Sequence, residues 1–405
     1  MTNEVTQKTT SNEQNVSSSN GLEPLLRFCE FKGNLPQVKL SELFHKCTQK
    51  NRNGAINNVI CNSAKNGLIP QRDFFDKDIA NSENTTGYYI IKNNDFVYNP
   101  RKSNEAPYGP VSIYKDAEDG IVSPLYLCFR ATAPLCAEYF EMYFKSPAWH
   151  RYVYLMGDSG ARHDRVSIKD EVFFDMPVRI PSLSEQQKIA DFLFLVDQRI
   201  EKQRRLVESL KKYKRGLLSA IFGRKLRFKD KNGNDYPEWE LKTVADILNY
   251  EQPQKYIVSS ENYNDEYKIP VLTANKAFIL GYTNEESGVY SKGETIIYDD
   301  FTMDFKFVDF SFKVKSSTIK MLTCKKFNDL YFMYNLLLSL NLVPMSHQRS
   351  YISILEPTKI YIPCYDEQLI ISKVLRNVDG YIDRHNKYLE AQEKCKKGLL
   401  QQMFI

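Results

Sequence analysis

Apolar residues recur every seven positions in two long stretches of the chain, one central and one at the C-terminal end. In the central stretch, polar side chains interrupt the apolar rows at Gln203 and Lys214. The rows are Leu193, Ile200, Val207 and Ile221, and Ile189, Val196, Leu210 and Leu217. Such a stripe is typical of a helix that packs along a second helix. The pattern therefore predicts two long helices that pair through their apolar seams.

The two stretches repeat each other without a gap. The first, "IPSLSEQQKIADFLFLVDQRI", begins at Ile180, and the second, "IPCYDEQLIISKVLRNVDGYI", begins at Ile362. The match continues to the C-terminal end, where Phe404 corresponds to Phe222. The second set of rows is Leu375, Ile382, Leu389 and Met403, and Ile371, Val378 and Leu399, interrupted by His385 and Lys396. The repeat predicts that one chain contains two equivalent half-units.

Each stretch follows an Ile-Pro pair, which disfavours helix immediately upstream. Ser184 and Asp366 are polar residues of the type that caps a helix N-terminus, and each lies just before an apolar run. We therefore expect these two residues to be the N-caps of the long helices.

Two aromatic-rich blocks, residues 38–176 and 242–357, lie before the long helices. Short alternating runs such as "GETIIYDDF" and turn signals such as "APYGP" are typical of strands joined by tight turns. The runs "AEYFEMYF" at 137–144 and "LYFMYNLLL" at 330–338 are interpreted as core helices, and a lead-in "LRF" at 26–28 recurs at 226–228. The predicted fold class is α+β, with two globular α/β domains separated by two long helices that pair as an antiparallel coiled coil in a pseudo-two-fold internal repeat.

The predicted domain limits follow from these patterns. Residues 1–21 lack the basic start and apolar core of a signal peptide and are expected to be a disordered leader. The remaining segments are a lead-in and first globular domain at 22–176, a central helix and linker at 177–237, a second globular domain at 238–357 and a C-terminal helix at 358–405.

Positive charge is concentrated in one part of the chain. The formal net charge is only +5, yet the stretch from Asp197 to Lys231 contains thirteen Lys and Arg against four Asp and Glu. Such a stretch is either a solvated helix face or a surface for nucleic acid or an acidic partner. The eight cysteines form no C-x-x-C pair, which favours reduced thiols in a cytoplasmic protein. No run of eighteen apolar residues is present, so no membrane association is expected.

Catalytic signatures are missing from the sequence. None of the phosphate-binding, dinucleotide-binding, zinc-protease or serine-hydrolase motifs occurs, and "NPR" at 99–101 falls short of the Asn-Pro-Pro-aromatic motif of amino-methyltransferases. Asp299, Asp300 and Asp304 could hold a metal, but turn and strand-end residues facing solvent are the favoured interpretation. We therefore predict no catalytic residue, no cofactor site and no metal site in this chain.

Basic and polar groups recur near the end of each globular block, as "ARHDRVSI" at 161–168 and "SHQRSYISI" at 346–354. Arginine can bond guanine, and glutamine can bond adenine, through two hydrogen bonds. The turn-prone "NPRKSN" adds two further cations. The predicted DNA-contacting residues are Arg101, Lys102, Arg162, His163, Arg165, His347, Gln348 and Arg349.

The duplicated framework of Ile-Pro, Glu-Gln and Gly-Leu-Leu around two variable blocks resembles the specificity subunit of Type I restriction-modification systems. The resemblance covers essentially the whole chain after residue 21. It implies that each globular block is a target-recognition domain that reads one half of an interrupted double-stranded DNA sequence. It also implies that the helices fix the spacer and dock two methyltransferase subunits, and that two restriction subunits join them. Those partners would carry S-adenosylmethionine, ATP and Mg²⁺.

Two other functions compete with this expectation. A stand-alone sequence-specific DNA-binding regulator would bind its site tightly without partners, and a self-sufficient methyltransferase would bind S-adenosylmethionine. The sequence leaves open whether the basic stretch contacts DNA or partner subunits. The target sequence and spacer length cannot be derived from it either, because base contacts depend on loop placement.

Overall fold

The computed structural model describes residues 23–74, 85–157, 164–273, 277–343 and 349–405. The expected leader at 1–21 lies outside these residues. The chain divides into two compact units, Met1–Lys202 with Leu389–Ile405 (unit 1) and Gln203–Tyr388 (unit 2). Each unit takes in one of the two predicted globular blocks. Among the described residues, no helix is long and apolar enough to cross a membrane.

Unit 1 is built around a four-stranded antiparallel sheet in the order β2-β9-β6-β7, with three two-stranded pairs beside it, β1-β10, β3-β4 and β5-β8. Its strands are β1 Gln37–Lys39, β2 Phe44–Lys46, β3 Ile60–Ser63, β4 Gly67–Pro70, β5 Tyr89–Ile91, β6 Phe96–Tyr98, β7 Val111–Ile113, β8 Gly120–Val122, β9 Leu127–Ala131 and β10 Pro177–Arg179. Its short helices are α1 Leu40–Leu43, α2 Gln71–Phe74, α3 Ala137–Lys145, α4 His150–Met156 and α5 Asp170–Phe174. The long helix α6, Leu183–Phe222, begins in this unit.

Unit 2 repeats this plan, with a four-stranded antiparallel sheet in the order β12-β18-β15-β16, an antiparallel pair β11-β19 and a second sheet β14-β13-β17. Its strands are β11 Glu240–Thr243, β12 Leu248–Glu251, β13 Ile269–Leu272, β14 Ile279–Thr283, β15 Thr295–Asp299, β16 Phe305–Val308, β17 Lys313–Val314, β18 Ile319–Cys324 and β19 Lys359–Ile362. Its helices are α7 Val244–Ile247, α8 Leu330–Ser339 and the start of α9 Tyr365–Met403, with a 3₁₀ turn at Gln254–Tyr256 and a π-helical turn at Tyr351–Leu355.

The two aromatic runs form core helices, as predicted. In unit 1, Phe140 of α3 is fully buried beside the central sheet. The last turn of α9 closes the same core, because the ring of Phe404 lies 5.2 Å from that of Tyr139. In unit 2, the equivalent residue Phe222 packs at 5.6 Å from Phe332 of α8. The repeated phenylalanine therefore has the same task in both units, which is to fasten a helix end to a domain core.

The long helices begin two residues earlier than predicted. The backbone N–H of Gln186 donates to the carbonyl of Ser182, and that of Gln368 donates to the carbonyl of Cys364. The residues at the N-cap position are therefore Ser182 and Cys364, and the prediction of Ser184 and Asp366 is wrong. The physical reason is that proline restricts the residue before it and leaves the residues after it free to enter the helix.

The helices pair through the predicted seam, and charged or polar partners satisfy its polar interruptions. In unit 2, the Nζ of Lys214 lies 2.7 and 2.8 Å from the two carboxylate oxygens of Asp379. The Nε2 of Gln203 donates to the carbonyl of His385 at 2.9 Å. Partner numbers fall along α9 as they rise along α6, so the pairing is antiparallel. The predicted α+β repeat with an antiparallel coiled coil is confirmed.

Unit 1 contains the equivalent ion pair, between Lys396 and Asp197. Seam residues on both helices are buried, as for Leu193 in unit 1 and Leu375 in unit 2. Because a buried or half-buried charge is costly without a partner, these pairs favour the observed register over its neighbours.

The repeated Glu-Gln motif explains the repeated "LRF" lead-in. Arg27 donates to both carboxylate oxygens of Glu185, at 2.7 and 2.8 Å, and Arg227 donates to both of Glu367, at 2.9 and 3.0 Å. Both glutamates are buried. The bonded glutamates raise the pKa of each arginine, so both guanidinium groups stay charged. Each clamp ties a lead-in segment to the start of a long helix.

Candidate nucleic-acid interface

Unit 1 brings two distant groups of predicted DNA-contacting residues together. Arg101, on the turn after the central strand β6, forms an isolated antiparallel bridge with Arg165. The backbone N–H of Lys102 donates to the carbonyl of Asp164 at 2.9 Å. Both Arg101 and Lys102 are exposed. Arg162 and His163 lie outside the described residues, so their placement stays a prediction.

Two asparagine side chains, one of them buried, hold the turn that carries Arg101. Asn62, which is 4% exposed, donates from Nδ2 to the carbonyl of Val97 at 2.7 Å. The Asn99 side chain donates to the carbonyl of Asn62 at 3.0 Å and accepts from the N–H of Arg101 at 3.1 Å. Because the Asn62 amide is withdrawn from water and hydrogen-bonded, the turn beside it has few alternative conformations. The sequence analysis did not single out Asn62.

A glycine is required next to this turn. Gly109 has φ +83°, and a Cβ at this position would lie 2.2 Å from the carbonyl oxygen of Asn99. A larger residue would therefore displace the turn as well as strain its own backbone. The signal that could have found it is the Gly-Pro pair in "APYGP".

A pocket of about 450 Å³ lies beside the turn and contains a cation that the sequence analysis missed. Lys65, on the connection between β3 and β4, is exposed and shares the pocket with Arg101, Lys102 and Arg165. Glu105 is the acidic residue among those that line it, and the Leu125 and Tyr126 side chains add apolar surface. Four basic side chains around one opening suit a DNA backbone or a guanine edge.

Unit 2 presents Arg349 at the equivalent place. In unit 1, the N–H of Val166, directly after Arg165, donates to the carbonyl of Pro100 at 2.9 Å. In unit 2, the N–H of Ser350, directly after Arg349, donates to the carbonyl of Asp300 at 3.0 Å. Pro100 and Asp300 each come two residues after a buried tyrosine of the central strand, Tyr98 or Tyr298. The two arginines therefore have the same backbone setting, and Arg349 is exposed. His347 and Gln348 lie outside the described residues.

The prediction that the aspartates of this second turn face solvent is wrong for Asp299 and Asp300 and is confirmed for Asp304. Asp299 is 6% exposed and Asp300 is 1% exposed, while Asp304 is exposed. Asp299 accepts hydrogen bonds from the N–H groups of Phe301 and Thr302, both at 2.9 Å. The carboxylates are buried because they satisfy backbone donors of the turn and loop. Within the described part of the chain, no group of three or more His, Cys, Asp or Glu side chains could hold a metal ion.

The two turns differ in chemistry. Phe301, at the position equivalent to Arg101, is 36% exposed, and Thr302 follows it. The turn of unit 2 therefore presents an aromatic ring where that of unit 1 presents a guanidinium group.

The basic stretch between Asp197 and Lys231 is partly structural. Lys214 belongs to the seam, Arg227 clamps Glu367, and the guanidinium of Arg224 lies 4.0 Å from the ring centre of Tyr361. These three cations are engaged within unit 2 and are not a continuous DNA-binding face. Other cations on the helix, such as Lys212 and Arg215, are exposed.

The cysteines are unpaired, as predicted. All eight lie among the described residues, and all are free thiols. Burial raises the pKa of Cys47 to about 11, and it raises the pKa of Cys128 as well. These two thiols therefore stay protonated at neutral pH and have little reactivity.

Family comparison supports the repeat seen in the structure. The model of the Type I restriction modification DNA specificity domain matches residues 36–211 and again residues 236–393. Each match covers one globular block and most of the helix that follows it. The two matches together include more than half of the chain.

Curated relatives match over part of their length. The Type I restriction enzyme EcoR124I/EcoR124II specificity subunit of Escherichia coli is 44% identical over 158 residues, covering 36% of this chain and 39% of the relative. The MjaVIII specificity subunit of Methanocaldococcus jannaschii is 26% identical over 196 residues, covering 45% and 46%. The matched segments thus span less than half the length of these relatives.

Solved structures share the fold. The S subunit of a Type I restriction-modification system from M. genitalium has a TM-score of 0.57 at 15% identity, covering 95% of this chain and 99% of that one. A chain from a study of complex assembly and conformational transition of the type I R-M system has a TM-score of 0.57 at 14% identity, covering 91% and 98%. Likeness at this identity establishes the fold alone. With the duplicated family match, it follows that the chain belongs to the Type I restriction modification DNA specificity family.

Proposed function

We propose that this chain is the DNA-reading specificity subunit of a Type I restriction-modification complex, with each unit reading one half of a bipartite double-stranded target. One observation carries the proposal: Arg165 and Arg349 have the same backbone setting. Each is held beside the turn that follows the equivalent strand of a four-stranded sheet with the same strand order. Arginine at a groove-facing loop is the side chain best suited to bond guanine N7 and O6. Two such loops on one chain suit a target with two separated halves.

The two half-sites should differ in sequence. Unit 1 offers Arg101, Lys102 and Lys65 around Arg165, whereas unit 2 offers Phe301 near Arg349. Cations favour phosphates and guanine, while an exposed aromatic ring favours contact with a thymine methyl group. The proposed target is therefore asymmetric.

The long helices would set the spacer and dock two methyltransferase subunits, and two restriction subunits would complete the nuclease. In this proposal the chain itself is not catalytic. Methyl transfer and DNA cleavage, with S-adenosylmethionine, ATP and Mg²⁺, belong to the partner subunits, and the complex acts in the cytoplasm, where it meets DNA.

Methylation mapping tests the proposal. Cells that express this chain with its modification subunit should carry modified adenines in an interrupted sequence with two specific halves and a fixed spacer. Omitting this chain should remove those marks, and the purified chain alone should transfer no methyl group. A continuous target, or methyl transfer by the chain without partners, would contradict the proposal. Tight site-specific binding by the isolated chain in a gel shift would instead indicate a stand-alone regulator.

A further inference from the structure

Unit 2 contains a buried carboxylate whose bonds lead directly to a recognition loop. Asp300 is 1% exposed and comes directly after the central strand β15, at the start of the turn. We propose that Asp300 is a positioning residue that holds the loop of Arg349 in its DNA-reading conformation. This inference rests on the proposed function, because it assumes that Arg349 contacts a base.

The carboxylate and the carbonyl of Asp300 bind both residues after Arg349. Its Oδ1 accepts hydrogen bonds from the N–H groups of Ser350, at 3.1 Å, and Tyr351, at 2.8 Å. Its carbonyl oxygen accepts a further bond from the hydroxyl of Ser350 at 2.6 Å. One buried residue therefore satisfies three donors of the loop. These bonds fix the position of the backbone directly after Arg349.

A buried lysine orients this carboxylate. The Nζ of Lys320, a residue of β18 that is 3% exposed, lies 3.5 Å from Oδ2 of Asp300 and donates to Oε1 of Gln252 at 2.9 Å. Oδ2 thus faces the sheet while Oδ1 faces the loop. Since Lys320 belongs to an inner strand, its contact with Asp300 ties the loop to the four-stranded sheet.

A hydroxyl chain reinforces the same contact. The hydroxyl oxygen of Tyr298 lies 2.5 Å from Oγ of Ser350. Because the Ser350 hydroxyl donates to Asp300, the tyrosine is the donor in this pair. Burial raises the pKa of Tyr298 to about 12, so its proton is retained at neutral pH.

Within the described residues, the equivalent loop in unit 1 has no such anchor. There the position of Asp300 is taken by Pro100, which offers only its carbonyl to the N–H of Val166. The unit 1 loop pairs with its turn through Arg101 and Arg165 instead. Unit 2 thus has a buried carboxylate at the position of this proline, and its described loop arginine, Arg349, depends on that carboxylate.

Two matched double variants separate the anchor from the ion pair. Asp300→Ala with Lys320→Met removes both charges and the Oδ1 acceptor, whereas Asp300→Asn with Lys320→Met removes both charges and keeps an acceptor. Removing both charges together avoids the costly case in which one of them stays buried without its partner. In complexes with the modification subunit, methylation rates on the target and on duplexes with one base changed in either half give the discrimination for each half-site.

The alanine variant should lose discrimination in the half-site read by residues 238–357 by about tenfold, the order expected for one bidentate base contact. Discrimination in the other half-site should not change. The asparagine variant should keep most of its discrimination in both, and so should the exposed control Asp304→Asn. Tyr298→Phe, which removes only the hydroxyl donor, should give a smaller loss in the same half-site and serves where the alanine variant melts early.

Unchanged discrimination in the alanine variant, or equal losses in both half-sites, would overturn the inference. Arg349→Ala distinguishes this from failure of the proposed function. If that variant relaxes the half-site while the Asp300 variant does not, the loop reads DNA without the anchor. If neither variant has an effect, the assignment of Arg349 fails as well.

Discussion

Arg165 and Arg349 show how the backbone setting of a single residue places its side chain for binding. Each comes immediately before an N–H group that bonds to the turn after a central strand. Neither arginine needs a side-chain partner to be placed, so both guanidinium groups can be used for binding. Within the described residues, the Nε of Arg165 lies 3.8 Å from a carboxylate oxygen of Asp164, which is a weak ion pair.

Replacing Arg349 tests this at the residue scale. We expect Arg349→Ala to cost about 1–3 kcal/mol of discrimination at one base pair of one half-site, because a bidentate contact is lost. Arg349→Lys should keep non-specific affinity but lose most of that discrimination, since an ammonium cannot make the paired bonds. Methylation rates on single-base variants of each half-site measure the effect. Arg165→Ala is the matched control and should act on the other half-site; an effect of both variants on the same half would contradict the assignment.

At the element scale, the long helices are specified by their interruptions as much as by their apolar rows. The seam lysines Lys214 and Lys396 each reach an aspartate, Asp379 or Asp197. An apolar stripe alone permits several registers, whereas a charge that must meet its partner permits one. The polar seam positions therefore determine how the helices align.

Charge exchange at the seam gives a stability prediction. Asp379→Lys alone should lower the free energy of unfolding, because it places a second cation beside the half-buried Lys214. Adding Lys214→Asp should recover part of the loss, with a coupling of about 0.5–3 kcal/mol. Recovery will be incomplete because Asp379 also accepts a bond from the hydroxyl of Tyr331. Urea unfolding of the wild type, the two single variants and the double variant measures the coupling. Lys212→Asp, at an exposed position, is the control. A coupling near zero would show that this pair does not select the register.

Helix length gives a second prediction at this scale. Four residues inserted after Glu208 and after Glu390 lengthen each helix by about 6 Å and rotate its far end by about 40°. That approximates one to two base pairs, at about 3.4 Å and about 35° each. The variant should keep both half-site sequences and prefer a spacer longer by one or two pairs. If methylation mapping of an active variant finds the original spacer, something other than these helices sets the distance.

At the scale of the whole molecule, each globular domain carries its own core. The core of unit 1 includes the end of α9 with Leu400 and Phe404, and that of unit 2 includes the end of α6 with Ile221. A domain that packs on its own residues and on a repeated helix end can be exchanged as a module. Phe222 and Phe404 make equivalent contacts with the two domain cores, so the helix ends can receive either domain in the same way.

Exchange of residues 38–176 for the corresponding segment of a relative should therefore change one half of the target. The other half and the spacer should stay the same, because their residues are untouched. Methylation mapping of the chimaera measures this, and exchange of 242–357 is the reciprocal control. A chimaera with both halves altered would mean that the two domains read DNA jointly.

Local periodicity and motif spacing were enough to predict most of the fold from the sequence. The seven-residue rows, the gapless repeat and the "LRF" and Glu-Gln motifs were enough to predict two α+β blocks, two paired helices and the family. These features depend on residues close in the chain, or on one segment compared with its copy. The partners of the motifs, such as Arg27 with Glu185, could not be assigned, because 158 residues separate them.

Only the tertiary structure decided what surrounds the predicted binding residues. It joined Arg101 to Arg165, added Lys65 to their pocket, and buried Asp300 under a loop fifty residues later in the chain. It also placed the N-caps of the long helices at Ser182 and Cys364. The reason is the same in each case: burial and hydrogen-bond partners depend on which distant backbone groups need satisfying, and a single sequence does not show where those groups meet.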